Sequence, residues 1–142
     1  MSENSFAAAH QKLNESHLQQ LERKYEYDSK RQAAIMRAWD LQMRCYINGN
    51  QECVHEYDKL FIEQQHITRE CIAVGRKCVN LCEENGTGFE QGTQVFDNES
   101  LNLTRKFYSC IKPCIERSIE YTNSEIKLID KTIRVVSEYL KG

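Results

Sequence analysis

Two cysteine pairs of identical spacing, Cys78-Val-Asn-Leu-Cys82 and Cys110-Ile-Lys-Pro-Cys114, constrain this chain more than any other feature. On a helix, residues four apart lie on one face, one turn from each other. Two helices carrying such pairs can dock antiparallel with Cys82 opposite Cys110 and Cys78 opposite Cys114. Both pairings share one register, so a single docking satisfies all four thiols. The inner bridge would close a loop worth roughly 3.5 kcal/mol in the chain-entropy picture, and the outer one less, because the loop is already closed. Cys45 and Cys53 flank Asn48-Gly49-Asn50 symmetrically and are placed to staple a turn. Cys71 is left over, seven residues before Cys78, and reads first as a buried free thiol. An intermolecular bridge, or exchange with Cys45 or Cys53, is its alternative.

The rest of the chain supplies the helices. Proline occurs once, at Pro113, and four of the six glycines fall between Gly75 and Gly92, so long stretches hold no helix breaker. The pattern predicts an all-α fold: a short disordered N-terminus over 1–6, then one helical domain over 7–142. Its helices are expected over 7–47, 51–84 and 98–141, with a glycine-bearing loop over 85–97. In the first helix Leu18, Leu21, Tyr25, Ile35, Trp39, Met43 and Tyr46 form a discontinuous apolar stripe. In the second, Val54, Tyr57, Phe61, Cys71, Val74, Cys78 and Leu81 lie near one face. From Ile115 the third carries a heptad seam through Ile119, Thr122, Ile126, Ile129, Ile133, Val136 and Leu140, the signature of a coiled coil. Pro113 is read as a bend held between bridges rather than as a helix end.

The sharper chemical readings compete poorly. Four cysteines could hold one zinc ion, but both pairs sit mid-helix among apolar neighbours, which favours disulfides. Gly86, Gly88 and Gly92 lack the strand, the order and the Lys-Ser/Thr of a phosphate loop. His10, His17, His55 and His66 form no metal or nucleophile pattern. Trp39 reads as a core anchor, with a partner-facing hot spot as its alternative. The formal net charge of −2 and pI near 6.1 give no basic excess for nucleic acid. No catalytic residue, cofactor or metal is expected, and no enzyme activity.

Seven cysteines imply an oxidising compartment. Met1 to Glu15 carries neither a basic start with an apolar run nor an Arg-rich stretch, so no secretory signal or presequence is expected, and no segment is apolar enough to span a membrane. The four N-x-S/T sequons, at Asn14, Asn85, Asn98 and Asn102, are taken as incidental.

The paired C-x3-C motifs resemble those of the twin C-x3-C helical-hairpin proteins of the mitochondrial intermembrane space, of which the small Tim chaperones are best known. Those chaperones have a shorter spacer between motifs and no long helix pair ahead of the hairpin. Over about Leu21 to Leu140 the chain is more similar to the group called "family with sequence similarity 136". The carriers are Leu21-Glu22-Arg23, Met43-Arg44-Cys45, Glu52-Cys53-Val54, Arg76-Lys77-Cys78-Val79-Asn80-Leu81-Cys82 and Ser109-Cys110-Ile111-Lys112-Pro113-Cys114. That family has two C-x3-C motifs in its first cysteine cluster, where this chain keeps only Cys45 and Cys53.

The resemblance implies a CHCH-like stapled hairpin with an additional N-terminal helix, located in the intermembrane space and peripheral to the inner membrane. It also implies oxidative import, with Cys110 or Cys114, beside Tyr108, Ile111 and Ile115, as candidate docking cysteines. The expected role is a non-catalytic accessory subunit of a respiratory-chain or other inner-membrane assembly; a Tim-like chaperone is the alternative. Ile126, Ile129, Ile133, Val136, Leu140 and Trp39 are the expected partner-facing residues.

Overall fold

A computed structural model describes residues 3–85 and 98–141, and among these every regular element is helical: α1 (Glu3–Ile47), α2 (Gln51–Asn85) and α3 (Asn98–Leu140). Residues 3–6, expected to be disordered, belong to α1, since nothing in Glu3–Phe6 breaks a helix. Apart from Asn85, the expected loop over 85–97 lies outside the described residues. Packing gathers into two compact units. The first comprises 1–24 and 72–118, the second 25–71 and 119–142. Each helix contributes one segment to each unit.

The α1–α2 corner, in the second unit, shows how local chemistry sets the chain direction. Asn50 N–H donates to the Cys45 carbonyl at 3.1 Å and Gly49 N–H to the Tyr46 carbonyl at 3.1 Å. Together these make a Schellman C-cap, whose left-handed position is Gly49, at φ +62°. Asn50 then caps α2: its Oδ1 accepts the Cys53 N–H at 3.0 Å. Its amide also donates to the Tyr139 carbonyl of α3 at 3.3 Å, tying the corner to the third helix. Cys45 and Cys53, which supply backbone groups to the two caps, are joined by a disulfide with Cα atoms 5.6 Å apart.

The core of the second unit is made by Ala34, Ala38 and Cys45 from α1, Cys53, Tyr57 and Leu60 from α2, and Ile129 and Val136 from α3. Ile35, Leu41, Val54, Leu128, Ile133 and Leu140 pack around it. On α1 the buried core positions are two alanines and a cysteine, and the larger fully buried side chains come from α2 and α3. The α1 and α3 segments are parallel: Arg31 binds the buried carboxylate of Glu125 through two guanidinium nitrogens, and further along Arg37 pairs with Asp130 at 3.3 Å. The first unit keeps the same parallel sense, with Arg23 on Glu116 at 2.7 Å and Gln20 donating to the Lys112 carbonyl at 3.0 Å.

Tyr57 is fully enclosed, and its hydroxyl has no hydrogen-bond partner among the described residues; burial pushes its pKa up to about 12. A buried hydroxyl left unpaired costs about 1–3 kcal/mol. Tyr57→Phe is therefore expected to be neutral or stabilising, read as an unchanged or raised denaturation midpoint. At the corner, a Cβ on Gly49 would meet nothing within 4 Å, so a substitution there costs only backbone strain. Gly49→Ala should lose about 1 kcal/mol and Gly49→Asn clearly less, because asparagine tolerates the left-handed region. Urea titration of the two variants checks the order.

Candidate functional site

The cysteine constellation is the chemically most distinctive part of the chain, and it lies in the first unit. Cys78 on α2 is bridged to Cys114 on α3, and Cys82 to Cys110, with Cα separations of 5.9 and 5.5 Å. The α2 and α3 segments of this unit therefore run in opposite directions. Cys82 and Cys114 are buried, whereas Cys78 and Cys110 are half-buried. Ile111 and Ile115, next in sequence to the bridging cysteines of α3, are buried, as are Leu101 and Thr104 further back along the helix.

Pro113 stands inside α3 on its exposed side. The carbonyl it leaves without an intrahelical donor is that of Ser109, also an exposed residue, so water can satisfy it.

The Sγ atoms of Cys78, Cys82 and Cys114 lie within 4.8 Å of one another, close enough for a shared metal if the thiols were reduced. In the bonded state each sulfur already holds a covalent partner. Cys71, half-buried on α2, is the free cysteine.

Next to the bridges, in the same unit, α1 meets α3 through an aromatic contact. His17 stacks on Tyr108 with ring centroids 4.4 Å apart and planes 12° from parallel. The Tyr108 hydroxyl donates to Asn14 Oδ1 at 2.7 Å. Burial lowers the His17 pKa from 6.5 and raises that of Tyr108 above its usual 10. From the sequence His17 reads as a surface or interface histidine; its spacing from Asn14 on one face of α1 was the available signal, but only the fold brings Tyr108 to both.

The residues expected to face a partner divide. Ile129 and Val136 are completely buried in the core of the second unit, and Ile133 and Leu140 pack against it; Ile126 is half-buried. The heptad seam of α3 is thus covered by this chain's own α1 and α2, because those helices already supply the complement that a two-stranded coil would take from outside. Trp39, read first as a core anchor, is 55 % exposed, and Leu18, Tyr25, Met43 and Tyr46 of the same expected stripe are exposed too. The error has a physical source: periodicity identifies an apolar side of α1, but the core took the alanine side. On α2, Leu81 is likewise exposed, while Leu60 takes a place in the core.

An open concavity of about 460 Å³ in the second unit is lined by Arg31, Phe61, Gln64, Gln65, Thr68, Arg69 and Glu125. Its one acid is already held by Arg31, so the lining offers no free acid–base pair. No described helix is long and apolar enough to cross a membrane. Comparison with family models, with curated proteins and with solved structures finds no match to this chain.

The depressed His17 pKa makes stability pH-dependent with a defined sign. Below pH 6.5 the unfolded chain takes up a proton that the folded chain resists, so stability falls as pH drops through 6.5 until the folded histidine is itself protonated. Thermal denaturation across this range should show that loss in the natural chain. His17→Phe, which keeps a stacked ring and removes the titration, should flatten it.

Proposed function

We propose that this chain is a non-catalytic structural protein of the mitochondrial intermembrane space, an accessory subunit docked on a larger inner-membrane assembly such as a respiratory-chain complex. The observation that carries the reading is the set of three disulfides, Cys45–Cys53, Cys78–Cys114 and Cys82–Cys110, joining long helices in a short chain. Bonds of this kind persist where the surroundings are oxidising. Their arrangement fits a twin C-x3-C hairpin, and the motifs around Arg76–Cys82 and Ser109–Cys114 support kinship with the family with sequence similarity 136 and, more distantly, the small Tim chaperones.

The buried and half-buried polar groups support a structural role. Glu125, Arg31, Tyr108 and Asn14 are spent on pairing α1 with α3. During biogenesis Cys110 or Cys114, beside Tyr108, Ile111 and Ile115, would present the reduced chain to a thiol oxidoreductase. In the folded chain Tyr108 is committed to His17 and Asn14, so such docking belongs to the unfolded precursor.

A second reading, a Tim-like holdase, is favoured by the apolar surface left open on α1 and α2, including Ile62 and Ile72. Organelle fractionation separates the two. An accessory subunit is protected in intact mitochondria, becomes digestible when the outer membrane is ruptured, and co-migrates at fixed ratio with one inner-membrane complex on native gels. A holdase passes the same protease test but cross-links transiently to many incoming chains. Recovery from a reducing compartment, with the bridging cysteines as free thiols, would overturn both.

A further inference from the structure

The helix α1 is inverted in its second-unit segment. Its inner side presents Ala34, Ala38 and Cys45 to the core, while its outer side carries Met36, Trp39, Met43, Tyr46 and Ile47. These five side chains are between 55 % and 77 % exposed. Their spacing of three and four residues draws one continuous seam rather than scattered surface hydrophobes. Together they leave on the order of 700 Å² open, beyond the ~300–600 Å² of the largest patch on a typical monomer and near the ~800 Å² each partner contributes to a stable interface. Trp, Tyr and Met are also the residues that interface centres favour.

We propose that this face is a self-association surface, on which a second copy of the chain packs its own α1 antiparallel. The flanks of the seam select that occupant and that direction. One flank carries Asp40 and Arg44, one turn apart, both exposed and neither holding an ion pair among the described residues. The nearby Arg37 is already engaged with Asp130. The other flank, Ile35 and Gln42, is uncharged.

In an antiparallel pair of helices, like flanks face each other. Asp40 of one copy then meets Arg44 of the other, and the two-fold axis repeats the contact. A parallel pair would set the charged flank against the uncharged one and leave both charges unanswered. The apolar seam supplies the affinity, and the paired charges fix direction and register. The surface lies wholly within the second unit and depends neither on the compartment nor on the accessory-subunit role.

Sedimentation equilibrium of the oxidised full-length chain tests the proposal, in a Cys71→Ser background so that no covalent dimer contributes. The expected mass rises with concentration from 16.7 kDa toward twice that value. Trp39→Glu and Met43→Glu should each hold the chain at the monomer mass with unchanged helical circular dichroism. Asp40→Arg and Arg44→Asp should each weaken dimerisation by about tenfold. Mixed together, those two variants should form heterodimers by native mass spectrometry, and the double exchange on one chain should restore self-association. A chain that stays monomeric at every concentration, including one that binds other proteins through this face, overturns the proposal. So does a dimer indifferent to Trp39→Glu. Charge reversals that fail to rescue each other overturn the antiparallel arrangement.

Discussion

Two disulfides one helical turn apart leave α2 and α3 a single relation in the first unit. A slip of one residue along either helix would rotate a thiol out of reach of its partner, and a slip of a full turn would leave one thiol on each helix unpaired. With Cys78 bonded to Cys114 and Cys82 to Cys110, the register is covalent. Ile111 and Ile115, each one residue beyond a bridging cysteine, are buried on α3. Pro113 is tolerated because it and Ser109, whose carbonyl loses its helical donor, are both exposed to water.

The second unit reaches the same definition by different means. Its corner is specified three times over: by the Schellman cap closing on Gly49, by the Asn50 side chain opening α2, and by the Cys45–Cys53 bridge. Asn50 carries most of this, since it ends one helix, starts the next and donates to α3. From that corner the polar pairs between α1 and α3 keep a nearly constant sequence offset, 94 for Arg31–Glu125 and 93 for Arg37–Asp130. Such pairs contribute little energy where exposed. Around the buried Glu125 their role is to penalise other alignments, because a carboxylate taken from water without its guanidinium is costly.

Helix α1 shows how a core can be assembled from the less hydrophobic side of a helix. Small side chains at Ala34 and Ala38 allow close approach, and the bulk of the core then comes from Tyr57, Leu60, Ile129 and Val136. Met36, Trp39, Met43, Tyr46 and Ile47 are left outside, while Ile35 and Leu41 pack around that core. Meanwhile the α3 seam, with the most regular heptad spacing in the chain, is consumed internally. Regularity of pattern marks where a helix is buried; it does not say whether the burying surface belongs to the same chain.

What the sequence determined by itself was whatever depends on neighbours within a few turns. The three helices follow from the distribution of breakers, the corner from Asn48-Gly49-Asn50, and the bridge pairings from two C-x3-C spacings that admit one antiparallel register. What only the tertiary structure decided was which side of α1 faces in, that the α3 seam is covered, and that Tyr108 finds Asn14 across 94 residues of chain and stacks on His17 beside it. The physical reason is that periodicity records two candidate faces on a helix like α1, one small and one large. The choice between them is made by how closely its neighbours, themselves fixed by disulfides and caps, can approach.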